Sequence, residues 1–540
     1  MFANLNLVDS RPWVMGFPAS RARGGGLSWV LLIVAVVMLL AGCSGGKGAA
    51  APASGGGNGG GNDNGGGGGS AGGDAMPEPT YLFFGGGLTA VDPSNPASPI
   101  SLETGSVTGT RTALAGRQDT PTRISGLYVR SVMYGRGGKL WQVDALTTAT
   151  PSPRQISNET AANLICSAYV SDDLADHAHT AYVYELGGAD NQCATAGDNL
   201  WKMIRLSMSE TTAPLDAVKP VIDLGSDVTG AVTGWLGLSG GGLYRYDADF
   251  AAPVLLTPYN SQVLFLVAIS NQRVIIRVDD DLYIYDDSLG ALSSSLHHFS
   301  SASAGAFQSD GTSLYFADGS SIYKLPLSGG SAASLVVTET NVSNAGLSLA
   351  LTDGYLVYFW RDATTALSTL NRLAKTGGAA QQIFSGIEGV RLMTAADLIY
   401  YTVGSTTSVT SYVMRENGVA LAQYESALWW GQSLPFTVDA AAMTSPHKIF
   451  LMEGYTDASS FFANGTISAY DAATHVRSAV LGTIPANITD ILFSGIGDAV
   501  MGLGTTTGNP QGSDIFIANA NVDGSLLRVT ATGGVNEQPL

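Results

Sequence analysis

The sequence predicts an all-β protein, a β-propeller of about eight four-stranded blades, set behind an N-terminal signal and a glycine-rich tether. Three observations lead there. The segment SSIYKLPLSGG at 320–330 aligns without a gap to STLNRLAKTGG at 368–378, and a third copy, GSLLRVTATGG, occupies 524–534. Each copy alternates apolar and polar residues as a half-buried strand does and closes on Gly-Gly. Looser copies begin near Leu88, Leu140, Met203, Leu243, Leu282, Val413 and Ile467, at a spacing of roughly 40 to 60 residues, the period of one blade. Finally, 68 glycines and only 13% charged residues suit short strands and tight turns rather than amphipathic helices.

Each exact copy is preceded by another strand-like run, Leu314-Tyr315-Phe316, residues 355–360 and Asp514-Ile515-Phe516-Ile517, so that strand, turn, strand, turn is the unit. Ten candidate copies exceed the usual complement of a propeller. The copy at Leu88 has little chain before it to supply an inner strand, and the one near Val413 fits poorly. About eight blades are therefore expected within a body spanning 77–540. A sandwich array or two smaller propellers is the competing arrangement. The repeat resembles those of periplasmic propellers of the Tol-associated and quinoprotein-like families.

The N-terminus carries a different message. An apolar run over 27–40 follows Arg21 and Arg23, the pattern of a signal peptide that is too short to span a bilayer comfortably. Met15 would be a more ordinary start. Leu40-Ala41-Gly42-Cys43 resembles the lipobox of bacterial lipoproteins, matching it at all four positions. That resemblance implies removal of residues 1–42, a diacylglycerol on the Cys43 sulfur and acylation of its new amino group, which together give stable membrane anchoring. Ser44 after the cysteine implies transport to the outer membrane, so a cell-envelope location, facing periplasm or exterior, is expected.

Residues 43–76 are nearly all Gly, Ala, Ser and Asn after the cysteine, a composition that cannot bury enough apolar surface to fold. As a flexible coil this tether has a root-mean-square reach of about 30 Å. The formal charge of −18 argues against nucleic acid and against an electrostatic hold on anionic lipid.

With Cys43 lipidated, Cys166 and Cys193 remain, and in an oxidising compartment an even pair reads as a disulfide. Closing that loop would contribute roughly 3.5 kcal/mol by chain entropy.

Signals of chemistry are sparse. Gly237-Leu238-Ser239-Gly240-Gly241 fits the nucleophile-elbow spacing, but that device needs a strand feeding a helix, and here a strand follows, so a turn is expected. Asp172, Asp173, Asp176, His177 and His179 crowd together and are candidate metal ligands, although their spacing matches no defined site. Asp279, Asp280 and Asp281, with Asp286 and Asp287 beyond a short strand, are candidates for calcium; strand-flanking turns also use Asp for local hydrogen bonds, which is the leading reading. Residues 469–475 (AYDAATH) resemble part of the quinoprotein-like repeat. That family has Gly where His475 stands, a docking Trp after it, and a copy in most blades, whereas one copy is found here; no quinone or other cofactor is expected.

Two functions remain. The body is either a tethered module that binds an envelope protein or a glycan, or a propeller enzyme of lyase, lactonase or glycosidase type with carboxylates or His converging from several blades. Six His and the lack of a repeated acidic motif favour the first.

Overall fold

The computed structural model describes residues 81–84, 88–91, 100–103, 132–136, 139–143, 154–157, 165–171, 181–186, 200–205, 212–214, 219–226, 232–247, 253–270, 273–300, 306–387, 389–404, 409–434, 448–454, 465–486, 488–496, 499–506, 509–528 and 538–539. Among them there is no helix. The strands pair into nine antiparallel sheets, one of which has eight strands and divides at a parallel seam into two of four. The described chain therefore contains ten sheets, here numbered 1 to 10 along the sequence, in a propeller-like all-β arrangement.

Sheets 4 to 10 are the best described. Sheet 4 comprises Lys219–Ser226, Val232–Ser239, Gly242–Asp247 and Val254–Pro258, and sheet 5 Val263–Ser270, Arg273–Val278, Asp281–Asp286 and Ala291–Leu292, with His297–His298 also on its third strand. Sheet 6 comprises Phe307–Ser309, Ser313–Asp318, Ser321–Pro326 and Ser334–Thr338. Sheet 7 is Val342–Leu351, Tyr355–Asp362, Ser368–Ala374 and Gln381–Ile387, and sheet 8 is Gly389–Ala395, Leu398–Gly404, Val409–Arg415 and Ala420–Glu425. Sheet 9 runs Ala427–Leu434, Lys448–Glu453, Thr466–Asp471, Arg477–Thr483, and sheet 10 Ile488–Ile496, Ala499–Thr506, Asn509–Asn519, Leu527–Arg528. In each, consecutive strands are neighbours.

Sequence patterning predicts about eight blades; the described sheets number nine, or ten with the eight-stranded one divided at its parallel seam. Every one of the ten repeat copies falls in a different sheet, including the two that sequence patterning discounted. Val413 lies in the regular third strand of sheet 8. Leu88 belongs to sheet 1, Tyr81–Phe84, Leu88–Val91 and Ile100–Glu103, whose remaining strand comes from the far end of the chain: Phe84 pairs with Gln538 and Phe83 with Pro539. The third exact copy is displaced. Residues 321–326 and 368–374 form third strands, but Leu527–Arg528 is a fourth strand, because Asn509–Asn519 already fills the third place in sheet 10.

The core lies between sheets, not within one. Successive residues of a strand face opposite ways, and both faces of a second strand find apolar partners. Ile275 packs with Leu314 and Phe316 of sheet 6, while its neighbours Val274 and Ile276 pack with Leu236 and Leu243 of sheet 4. The same holds for Tyr315 and Ala317, which meet Leu349 and Tyr358 of sheet 7, and for Leu398 and Tyr400, which meet Trp429 and Leu451 of sheet 9. Second strands are accordingly buried along their length, as in Ser313–Asp318, and fourth strands such as Val254–Pro258 and Ser334–Thr338 are mostly exposed. Buried on two sides, a second strand reads as a continuous apolar run; outer strands keep the polar alternation.

A polar clasp accompanies each of six consecutive interfaces. A side chain on one sheet reaches the turn between the third and fourth strands of the next: Arg245 to the Asp287 carboxylate, Arg273 to the Ser328 carbonyl, Lys324 to the Lys375 carbonyl, Arg372 to the Glu416 carbonyl, Tyr400 to the Ala472 carbonyl and Lys448 to Asn521 Oδ1. Five of the six are basic. Turn carbonyls and carboxylates have no ladder partner of their own, so a long cationic side chain from the preceding sheet satisfies them.

Candidate ligand site between two sheets

The outer strands of sheets 7 and 8 diverge and leave a cleft of about 290 Å³ lined by Arg372, Gln382, Ile383, Tyr401, Tyr412, Val413, Met414, Gly418 and Ala420. Its shape follows from the sequence on both walls. Tyr401 and Tyr412 are cross-strand partners in sheet 8, which brings their rings into a parallel stack with centroids 5.0 Å apart. Phe384 of sheet 7 approaches Tyr412 at 5.8 Å. Opposite the rings, Gly418 (φ +98°) and exposed Ala420 contribute no bulk. A Cβ on Gly418 would sit 2.5 Å from Arg372 Nη2, so glycine both permits the backbone conformation and admits the guanidinium.

The polar groups of the cleft include the Arg372 guanidinium and the Gln382 amide, whose Nε2 donates to Ser385 Oγ at 3.1 Å. Arg372 gives one hydrogen bond to the Glu416 carbonyl and one of 2.8 Å to Gln381 Oε1, and its guanidinium lies 5.4 Å over the Tyr355 ring. Burial pushes the Tyr401 phenol up to about 12, and burial together with the Glu425 carboxylate raises that of Tyr412, so both rings stay neutral. The Glu425 carboxylate itself is held by Thr410 Oγ1 and Gln423 Nε2. The cleft thus joins the edge of a tyrosine pair, an amide and a guanidinium on one open surface.

The sequence-predicted ligands behave otherwise. Cys43, Asp172, Asp173, Asp176, His177, His179 and Cys193 lie outside the described residues, and Cys166 falls in the strand Ile165–Ser171. Asp279, Asp280 and Asp281 turn away from one another. Asp279 Oδ1 accepts from the Ser261 and Gln262 N–H groups and Oδ2 from that of Asn260. Asp280 pairs with Arg277 at 3.2 Å, and Asp281 accepts from Ser295 Oγ and meets His298 Nδ1 at 3.1 Å. Asp286 caps Ser288, and Asp287 takes Arg245 and the Tyr285 hydroxyl. These are local turn and clasp bonds, and among the described residues no three His, Cys, Asp or Glu side chains converge on one point. Gly237, Leu238 and Ser239 end the strand Val232–Ser239, and Gly240 and Gly241, at φ +51° and +76°, make the hairpin turn into Gly242–Asp247.

Sequence reasoning missed an acid–imidazole pair where sheets 5 and 6 meet. His297 Nε2 lies 3.1 Å from Asp318 Oδ2, enclosed by Phe299, Phe316 and Tyr323 at ring distances of 4.3 to 4.9 Å. Ser300 donates through both N–H and Oγ to the same carboxylate. Serine and histidine thus both bond the aspartate and do not form a serine–histidine–aspartate relay, which requires histidine in the middle.

No family model and no curated protein matches the chain. Among solved structures it is similar to a eukaryotic initiation factor (12% identity, TM-score 0.40, covering 62% of this chain and 83% of that one) and to Kluyveromyces lactis Hsv2p (11%, 0.30, 56% and 93%). It is also similar to Porphyromonas gingivalis dipeptidyl peptidase 4 (12%, 0.36, 68% and 63%). At such scores these likenesses carry no functional argument.

Two turns bear on the quinoprotein-like segment. In sheet 9, Asp471 caps Ala473 and Thr474 and His475 adopts φ +56°, the conformation for which Gly is the usual residue. The same turn recurs in sheet 7, where Asp362 caps Thr364 and Thr365 and Ala366 adopts φ +59°. The motif is therefore a turn device used more than once, which a search for one exact string overlooks. His475 stacks on Tyr470 and meets the Tyr424 hydroxyl at 2.9 Å.

Proposed function

We propose that this chain is a lipid-anchored envelope protein whose sheet array is a recognition module for an envelope protein or glycan, without catalysis of its own. The observation that supports this reading is the open cleft between sheets 7 and 8, which half-buried Tyr412 lines with Gln382 and Arg372. In this reading Cys43 carries the lipid in the outer membrane, the tether lets the body search about 30 Å around the anchor, and Cys166 and Cys193 form a disulfide. The ten sheets act as blades of one ring, latched by Gln538–Pro539 on Tyr81–Phe84. Tethering raises the effective concentration near other envelope components, so weak contacts suffice.

The test uses the full-length lipidated chain with a photo-crosslinking side chain at Ala420. It should yield a discrete envelope adduct, unaffected by Ala at His177, His179, Asp279, Asp280 and Asp281 and lost with Cys43→Ala. Turnover of a glycan or lactone by the purified chain, abolished by Asp318→Asn, would overturn it.

A further inference from the structure

The exposed apolar residues of the body share one location. Among the described residues eight large aliphatic side chains stand in solvent, 41% to 76% exposed. Leu289, Val419, Val476 and Val522 lie in the turns between third and fourth strands of sheets 5, 8, 9 and 10. Val254, Leu255, Leu335 and Leu421 are the first or second residues of fourth strands in sheets 4, 6 and 8. All eight therefore sit at the same end of their sheets, the end whose turns the six clasps join from sheet 4 to sheet 10. At the opposite end, the described turns between second and third strands are Gly240-Gly241, Asp279-Asp280, Gly319-Ser320 and residues 363–366 (ATTA), which expose no large apolar side chain. Isolated exposed aliphatics are ordinary, but a set confined to one rim marks a contact surface.

The chain enters the body at this same end. Tyr81 pairs with Val91, the last residue of the third strand of sheet 1, so the segment leading back to Cys43 joins sheet 1 where its third strand turns toward its fourth. The rim is also ordered and its charges are matched. Asp286 caps Ser288, Asn417 Oδ1 accepts from Val419 N–H, Asp471 caps Ala473, and Asn519 Oδ1 accepts from Asn521 N–H, so the aliphatic tips lose little entropy on contact. Arg245 pairs with Asp287, Arg273 with Asp286, Lys375 with Asp310 and Arg415 with Asp397.

Resting on the lipid-anchored ring of the reading above, we propose that this rim lies on the bilayer that holds Cys43, its aliphatic turn tips entering the interfacial layer. The contact is apolar, because the charges beside the turns are paired and a net charge of −18 is repelled by anionic lipid. Each tip contributes little alone, and a tether of about 30 Å reach keeps the rim close enough for their sum to act. The cleft between sheets 7 and 8 opens at this rim, where Gly418 and Ala420 flank Val419, so its ligand is taken at the membrane surface.

The test places the full-length lipidated chain in vesicles of phosphatidylcholine that include a phosphatidylcholine with a diazirine in its acyl chain, followed by irradiation and peptide mapping. Peptides covering Leu289, Val419, Val476 and Val522 should carry adducts at about tenfold or more the level of those covering 363–366. Val476→Asp with Val522→Asp changes two exposed positions, so the urea midpoint should hold while labelling of sheets 9 and 10 falls by a similar factor and flotation through the Cys43 lipid persists. A chain that floats with the vesicles but labels equally at both ends of its sheets, or at neither, overturns the inference and leaves the anchored recognition reading standing. A chain without lipid on Cys43 that stays off the vesicles removes the anchor and this pose together.

Discussion

Arg372 and Glu416 hold two sheets together in both directions. The Arg372 guanidinium of sheet 7 donates to the Glu416 main-chain carbonyl in sheet 8, and the Glu416 carboxylate accepts a 2.8 Å bond from Gly354 N–H back in sheet 7. Gly418 makes room for this exchange. Gly418→Ala places a Cβ against Arg372 Nη2 and forces alanine to φ +98°. It should destabilise the body by about 1–3 kcal/mol in urea titrations, whereas the exposed change Asn417→Ala should cost less.

Trp429 tests the interface between sheets 8 and 9. It is fully buried against Leu398, Tyr400 and Leu451, and its Nε1 donates to the Tyr412 carbonyl at 3.0 Å. Trp429→Ala leaves a cavity and removes the indole hydrogen bond, and should cost about 3–5 kcal/mol. Trp429→Phe keeps most of the ring and should cost less, a ranking that melting temperatures measure directly.

Asp279 governs part of the acid limb. Partial burial alone would raise its pKa, but N–H bonds from Ser261, Asn260 and Gln262 outweigh it and hold the carboxyl at about 2. A folded-state pKa below the unfolded one means stability present above about pH 4 and lost as pH falls toward about 2. Asp279→Asn tolerates the positive φ of this turn and should remove that limb while costing about 1 kcal/mol at neutral pH.

His475 should give a second, separable dependence. Its environment of Tyr400, Tyr424, Trp429 and Tyr470 lowers its pKa by burial. The unfolded chain then takes up a proton at higher pH than the folded one, so stability falls as pH drops through about 6.5. In His475→Asn the urea midpoint should change less between about pH 7 and pH 5 than in the parent chain. Equal slopes would show that the imidazole titrates alike in both states.

The repeat was legible because local patterning repeats: residues 320–330 and 368–378 share strand, basic residue and Gly-Gly turn, and both become third strands. What misled the count was context. Leu88 needs a strand from the opposite end of the chain, which no window along the sequence contains, and the 11-residue strand Asn509–Asn519 shifts the last copy outward by one place. The cleft was illegible for a related reason. Arg372, Gln382, Tyr401 and Tyr412 are each ordinary strand residues, and only the packing of sheet 7 on sheet 8 brings them to one place. One signal was available: the fifth position of all three exact copies is basic, Lys324, Arg372 and Arg528, although polar strand positions elsewhere vary. The acidic run at 279–281 drew attention through density, yet Asp279 and Asp280 form the turn between two strands and Asp281 opens the next, each bonded to its own local partners.

The pairing of Phe84 with Gln538 sets an order on biosynthesis. As the chain folds, sheets 2 to 10 can each form from strands close in sequence, while Tyr81–Phe84 keeps one edge unpaired until residues 538–539 reach it. Such an edge invites pairing with a second nascent chain. Removing Gln538–Pro539 would leave that edge open and favour association through Tyr81–Phe84.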